Sequence, residues 1–522
     1  MNYKALINIK NLSISYLDKK VFERLSFSLG RGEVVALIGA NGCGKSTLLN
    51  YIYHKHINDK NYINNFELKI SGEVLFDKNI VIKYLPQKLN RQCLSVLKGL
   101  TDSEIDDVCQ LASEFALSIK RDDLSNLMKA VSPTPLSEGE MRKLMLAVAF
   151  TSDADVLIFD EPTNYLDING LTAFESQIEQ HRNRGTGIII VSHDRTLIDN
   201  LADGTIYMTR DGIYQTEGGY SLASSLADTD YNTKVKKART IQNKITQLQN
   251  VVRDRMDWSA QKEKSRKVAE GDKSFIGRRA KKMALRAKAA RTKAEKEITN
   301  LQKIKPTVHV KITLQMPEYT VKNRNVFSIR NVSFSYNSAK SAFIIKEADF
   351  SMSVKDRICL MGANGIGKST LIKLVLGELI PLIGECKLNS GVKLCHLPQG
   401  LKGFFKHKTL LENFIDAGRS EADIRLYLAS VFIRREKVHE PIENFSYGEL
   451  MRAAIVKCVL EQAEFLIMDE PTSHLDIESI EILEKLLNDF PGGYLIVSHD
   501  RFFVANVTDQ LYLLENGRVK IM

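Results

Sequence analysis

No uninterrupted apolar run of about 18 residues occurs in this chain, so a membrane-spanning helix is not expected. The opening stretch MNYKALINIKNLSISY lacks the apolar centre of a signal peptide. Cysteine is sparse: seven residues, at positions 43, 93, 109, 359, 386, 395 and 458, odd in number and never in a close C-x-x-C pair. That pattern argues against a zinc site and fits a reducing cytosol. The expectation is a cytoplasmic protein without membrane insertion. At 522 residues, 44% of them hydrophobic, the chain exceeds what one core usually serves, so two domains with connecting material are expected.

Charge is unevenly placed. Residues 231 to 305 hold 23 Lys and Arg against 7 Asp and Glu, a net of +16. The whole chain carries +10, so everything outside that segment sums to about −6 and the basicity belongs to one stretch. Its densest part, KSFIGRRAKKMALRAKAARTKAEK, has no proline to stop a helix.

An internal duplication brackets this segment. GANGCGKST (Gly39 to Thr47) and GANGIGKST (Gly362 to Thr370) both fit G-x-x-x-x-G-K-[ST], each after an apolar run and before a helix-forming one. The same landmarks then follow in the same order: Gln87 and Gln399 in LPQ, Ser137 and Ser446 in LSEGE and FSYGE, Glu161 and Glu470 in DEPT, His193 and His499 in VSHDR. The offsets between copies are 323, 312, 309, 309 and 306 residues, which identifies a repeat. Lys45 to Gln87 spans 42 residues but Lys368 to Gln399 only 31, so the first copy holds about eleven extra residues near YHKHINDKNYINNF. From glutamine to signature serine the distances are 50 and 47, which leaves no room for a large inserted subdomain.

These residue types suit ATP and magnesium. A glycine-rich turn aims consecutive backbone N–H groups at phosphate oxygens, and the following helix offers its positive end to the same charge. Candidate nucleotide ligands are Gly39, Asn41, Gly42, Gly44, Lys45, Ser46 and Thr47, with Gly362, Asn364, Gly365, Gly367, Lys368, Ser369 and Thr370 in the second copy. Ser46, Gln87 and Asp160 are candidate Mg²⁺ ligands, as are Ser369, Gln399 and Asp469. VLIFDE and FLIMDE read as buried strands that deliver their acids at one end, where Glu161 and Glu470 would act as general bases. His193 and His499, with the two glutamines, complete the candidate catalytic set. Tyr16 and Tyr336, upstream of each loop, could stack on adenine.

LSEGE and FSYGE resemble the LSGGQ signature of the ATP-binding cassette superfamily, and the likeness covers nearly all of the chain outside residues 222 to 325. The resemblance implies an α/β fold with two tandem phosphate-loop ATPase domains, sandwiching two ATP molecules head to tail within one chain that acts as a monomer. Ser446 and Gly448 would then complete the site on Lys45, and Ser137 and Gly139 the site on Lys368. The signatures depart from the pattern at Glu138 and Tyr447 in third place and at Glu140 and Glu449 in fifth. Two cassettes, a long charged linker and the motifs DEPTNYLD and DEPTSHLD resemble the ABC-F family in particular, with Tyr165 and Ser473 as small departures. That implies a ribosome partner, through large-subunit rRNA and tRNA. The extended linker, with no large insertion in the first cassette, is similar to members that protect ribosomes from antibiotics. A housekeeping translation factor, a transporter's ATPase subunit and a DNA-associated ATPase are the rival readings.

The domain expectation is a first cassette over 1–221, a basic helical hairpin over 222–325 and a second cassette over 326–522. Ile241, Ile245, Leu248 and Val252 form one apolar stripe, and Ala280, Ala284, Ala287, Ala290, Ala294, Ile298 and Leu301 another. EGDKSFIG between them reads as a turn. A helix of this net charge repels itself unless a polyanion is near, so RNA phosphate is its expected partner. Lys273, Phe275, Arg278, Arg279, Lys281, Lys282 and Arg286 are the candidate RNA contacts.

Overall fold

The computed structural model describes residues 5–522 apart from 18, 60–61, 63–66, 90–92, 94–95, 98, 130–135, 210–211, 267–272, 305–318 and 337–342. The first cassette runs β1 (Ile7–Tyr16), β2 (Lys19–Leu29), β3 (Val34–Gly39), α1 (Lys45–His56), β4 (Leu68–Phe76) and β5 (Ile82–Leu85). Helices α2 (Asp102–Glu114), α3 (Arg121–Lys129) and α4 (Glu138–Thr151) follow. It closes with β6 (Val156–Asp160), α5 (Ile168–Asn183), β7 (Gly187–Val191), α6 (Arg195–Leu201), β8 (Gly204–Thr209) and β9 (Gly212–Glu217).

Strands β3, β6 and β7 are buried along their whole length. Their unbroken apolar runs suit the middle of a parallel sheet covered on both faces. Among the described residues that sheet has the order β5-β6-β7-β3-β8-β9, and an antiparallel sheet β2-β1-β4 accompanies it. The strand order places the carboxyl ends of β3 and β6 on either side of β7, and the phosphate loop and the D-E pair emerge there.

Two long helices come next, α7 (Tyr220–Arg266) and α8 (Lys273–Ile304). Residues Ser224–Lys311 form a compact unit of their own, while the two cassettes together form the other. Within the helical unit Ile245 and Ala294 are buried, and Lys244 Nζ lies 3.2 Å from Glu297 Oε1. The expected turn is shorter than EGDKSFIG. Lys273 to Gly277 already belong to α8, because a lone glycine costs a helix only about 1 kcal/mol and no proline interrupts the run. The rest of that turn, 267–272, falls outside the described residues. The RNA-contact candidates all lie on α8.

The second cassette repeats the plan with β10 (Asn325–Phe334), β11 (Ile345–Ser353), β12 (Arg357–Met361), α9 (Lys368–Val375), β13 (Ile383–Leu388) and β14 (Leu394–Leu397). Then come α10 (Glu421–Ser430), α11 (Tyr447–Leu460), β15 (Phe465–Asp469), α12 (Ile477–Asn488), β16 (Gly493–Val497), α13 (Arg501–Val507), β17 (Gln510–Glu515) and β18 (Arg518–Ile521). The sheets β14-β15-β16-β12-β17-β18 and β11-β10-β13 match their counterparts strand for strand. Two of the scattered cysteines meet here. Cys395 on β14 and Cys458 on α11 form a disulfide with Cα atoms 6.2 Å apart, and the other five cysteines are free. A sequence separation of 63 hides that neighbourhood from any reading of spacing. In the first cassette the extra residues prolong α1, and His54 stacks on Tyr62 at 4.1 Å.

Candidate nucleotide site

Each phosphate loop joins a buried strand to a helix through left-handed glycines. At Gly39, φ is 144° and a Cβ would meet Met208 O at 2.0 Å; at Gly44, φ is 100° and a Cβ would meet Val21 Cγ1 at 2.3 Å. Only glycine fits either place. Lys45 Nζ folds back to donate to Gly39 O at 2.7 Å and Ala40 O at 3.1 Å. Lys368 does likewise, to Gly362 O at 2.7 Å and Ala363 O at 3.0 Å, and also reaches His499 Nε2 at 3.1 Å. Both ammonium groups are buried, Lys45 on backbone carbonyls and Lys368 on carbonyls and the His499 ring, poised for a stronger anionic partner.

The acids emerge from β6 and β15. Burial raises the pKa of Asp160, and both its carboxylate oxygens are enclosed without a hydrogen-bond partner. Asp469 accepts from Ser369 Oγ at 2.8 Å. These donors are oxygens only and few, which fits Mg²⁺, a hard cation that keeps most of its shell for water and phosphate. Asp160 with Ser46, and Asp469 with Ser369, would hold it. Gln87 and Gln399 are exposed and line one cavity with Glu161 and Glu470. Buried Arg142 of α4 donates to Pro86 O at 2.9 Å and also to Gln87 O, so the first glutamine's loop is pinned to the signature helix.

Glu161 and Glu470 both sit at φ 52°, a left-handed backbone that a glutamate rarely adopts. Their N–H groups are held by Val191 O and Val497 O, each at 2.9 Å. Glu161 Oε1 lies 3.1 Å from His193 Nε2, and Glu470 Oε1 lies 3.4 Å from His499 Nε2. Burial pushes Glu161 up to about 8 and Glu470 up to about 7. It pushes His193 down to about 3 and His499 down to about 4. Desolvation disfavours the charged form of each group, so each pair is tuned to hold a proton on the carboxyl and a neutral imidazole. Such a glutamate is close to neutrality, where a general base works best.

The signature departures have a local cause. Ser137 N-caps α4, and Glu140 returns the bond: Ser137 N donates to Glu140 Oε2 at 2.8 Å and Glu140 N donates to Ser137 Oγ at 3.3 Å. Ser446 and Glu449 repeat this at the head of α11, at 3.0 and 3.3 Å. The fifth-place glutamates therefore close capping boxes. In third place Glu138 is exposed, while Tyr447 is half-buried.

The two cassettes face one another. A cavity of about 400 Å³ is lined by Gln87, Glu161 and His193 from the first and by Gln399, Glu470 and His499 from the second. A further cavity of about 290 Å³ brings Asn41 together with Ser446 and Gly448. Gly139 packs against Tyr165, whose carbonyl lies 3.5 Å from Asn364 Nδ2. Tyr336 is exposed, its hydroxyl 3.2 Å from Thr370 Oγ1, whereas Tyr16 is half-buried against the core of its cassette.

Sequence reasoning named Asn41 and Asn364 only as nucleotide ligands and missed the residues they pair with across the interface. Asn41 N donates to Asp476 Oδ2 at 2.8 Å, and Asn364 N donates to Asp167 Oδ2 at 3.0 Å. Arg195 bonds Glu484 across the interface, and Arg501 reaches Glu175 at 2.5 Å. Both aspartates and both arginines recur at matched offsets in the two copies, in LD after DEPT and in HDR. That recurrence was the available signal.

Comparison with known proteins agrees with this geometry. The family described as ABC transporter matches residues 22–164 and 345–473. The ATP-binding protein Uup of Buchnera aphidicola is 28% identical, over 98% of this chain and 81% of its own. The ribosome protection protein VmlR of Bacillus subtilis is 26% identical, over 99% and 88%, and ABC transporter F family member 5 of Arabidopsis thaliana is 27% identical, over 98% and 75%. Among solved structures, the archaeal ribosome recycling factor aABCE1 in complex with stalk protein aP1 superposes with a TM-score of 0.58, at 18% identity, over 95% of this chain and 87% of that one. At that identity the likeness speaks for the fold alone.

Proposed function

The chain belongs to the ABC transporter family, among its ABC-F members, and on that premise we propose that this ATPase works on the ribosome and protects it from antibiotics. ATP closes the two cassettes, the closed form presents the basic helical pair toward the tRNA and peptidyl-transferase region of the large subunit, and hydrolysis releases it. The observation that carries the reading is the union, in one chain, of paired cassettes with a segment of net +16. No helix among the described residues is long and apolar enough to cross a membrane. An ATPase subunit that docks on a separate membrane partner needs only a short, neutral linker, so the long basic segment favours this reading over that one.

ATP supplies the phosphoanhydride that is broken, and the protein supplies position and charge. Lys45 and Lys368 would leave their carbonyl partners for β and γ oxygens. Asp160 and Asp469, with Ser46 and Ser369, would hold Mg²⁺. Glu161 and Glu470 would take the proton of the attacking water, each oriented by its histidine. Ser446 and Gly448 would cap the nucleotide held by Lys45, and Ser137 and Gly139 the one held by Lys368.

Co-sedimentation tests the proposal. The double variant Glu161→Gln plus Glu470→Gln should pellet with ribosomes in ATP and stay in the supernatant without nucleotide. Binding should weaken steeply as salt rises, since Lys and Arg on RNA release counterions. No comigration in ATP would remove the reading. The name of VmlR, at near full-length coverage, favours protection over a housekeeping role. Drug susceptibility of a sensitive host expressing this chain would check that choice.

A further inference from the structure

Helix α7 begins inside the interface between the cassettes. Tyr220, its first residue, is 4% exposed. Its hydroxyl donates to Glu481 Oε1 of α12 at 2.7 Å, and its ring meets Phe502 of α13 edge to face at 5.6 Å. Both partners belong to the second cassette. The guanidinium of Arg195, from the first cassette, lies 4.2 Å over the Phe502 ring and 5.7 Å from the Tyr220 ring. Around them, Ala36, Ile38 and Ile198 of the first cassette and Ile477 of the second bury Tyr220 and Ala223 in one small apolar cluster. The same turn is tied to the first cassette through Asp199, which accepts from Ser221 N at 2.8 Å and from Ser221 Oγ at 2.6 Å.

The two sides of the interface differ. Arg195 is 1% exposed while Arg501, at the equivalent place in the second copy, is 28% exposed. The seal therefore lies on the side where α7 departs.

We propose that Tyr220 is a latch that converts closure of the cassettes into order at the root of α7. Ser221 holds that root to the first cassette whether the interface is open or shut. Tyr220 gains Glu481 and Phe502 only when the second cassette arrives, and parting the cassettes strips both from it. A buried tyrosine that loses its hydroxyl partner and its ring partner together frees the turn that carries it. Tyr220 is thus a positioning residue, remote from the phosphates, that ties helix order to the nucleotide state. The inference rests on ATP-driven closure from the proposed function, not on which particle the helices meet.

Hydrogen exchange on the full-length chain carrying Glu161→Gln and Glu470→Gln tests it, with ATP against ADP, each with Mg²⁺, so that contact of the phosphate loops with nucleotide is common to both arms. ATP should slow exchange of amides 220–226 at least about tenfold, together with the amides of Asn41 and Asn364 that mark closure. Tyr220→Ala should abolish the slowing at 220–226 and leave it at Asn41 and Asn364. Tyr220→Phe, which keeps the ring and its fold, should lose part of it, and adding Glu481→Ala to Tyr220→Phe should cost little more. Full ATP-dependent slowing at 220–226 in Tyr220→Ala, with Asn41 and Asn364 protected, would overturn the latch alone. No ATP effect at Asn41 and Asn364 in the parent would overturn closure, and the latch with it.

Discussion

Asp476 is bonded in two directions at once: Oδ1 caps its own helix at Ser479 N, 3.0 Å away, and Oδ2 accepts from Asn41 N of the opposite phosphate loop at 2.8 Å. Asp167 does the same for Gly170 and Asn364. One carboxylate thus reports the state of the partner's loop to the start of a helix that follows its own catalytic strand.

Asp476→Asn should separate these two duties. The cap survives through Oδ1, but an amide N–H now faces the Asn41 N–H. Losing a charged hydrogen bond of about 2 kcal/mol lowers the closed population roughly 30-fold. ATP turnover should fall accordingly, with a melting temperature close to that of the parent.

Glu161 and Glu470, pushed up by burial to about 8 and about 7, must be ionised to accept a proton from water. Turnover should therefore climb between about pH 6 and pH 8, whereas a glutamate at its ordinary value would have levelled off by about pH 5.5. The double glutamine variant should lose at least about 100-fold in turnover while nucleotide binding, followed by a fluorescent analogue, persists.

The same shifts govern stability in the absence of nucleotide. A carboxyl whose folded pKa is raised binds more protons folded than unfolded, so stability falls as pH rises through the gap. The depressed values of His193 and His499, about 3 and about 4, act with the opposite sign but only below the ordinary histidine range. Between about pH 6.5 and pH 8 these histidines no longer contribute, and the two glutamates should make the melting temperature decline across that window. Glu161→Gln should flatten the decline.

The capping boxes give a stability test at the signature serines themselves. Glu140→Ala removes one arm of a box and should lower stability by about 1 kcal/mol, a fall in melting temperature of roughly 2 to 4 °C for a domain of this size. Glu140→Gln retains the geometry and should restore most of it. Glu449→Ala should cost more, because Glu449 also binds Lys437 at 2.5 Å.

Much of this site was written in local pattern. The phosphate loops, the acids and the histidines lie at fixed distances from strand ends, and period and glycine placement reveal strands, so Lys45, Asp160, Glu161 and His193 are legible as candidates in the sequence itself. The duplication likewise disclosed that each candidate residue has a counterpart in the second cassette. The interface was harder, because Asn41 and Asp476 are 435 residues apart and nothing local marks a residue that looks outward to another domain. Tyr220 fell at the end of the expected first cassette with nothing to single it out, since its burial depends on Glu481 and Phe502, which no periodicity in 220–266 encodes. The signature glutamates looked like departures because they were compared with a motif, when their meaning lies in S-x-x-E geometry.

Arg195 has the last consequence. Its cation is packed against Phe502 and bonded to Glu484, with Asp500 Oδ2 at 3.9 Å, all of them from the opposite half. Water cannot hydrate a guanidinium so placed until the two halves have moved apart by at least its own thickness, and until then every intermediate separation leaves an ion stranded between media. The seam should therefore resist breathing and yield only to a full stroke, the behaviour of a toggle.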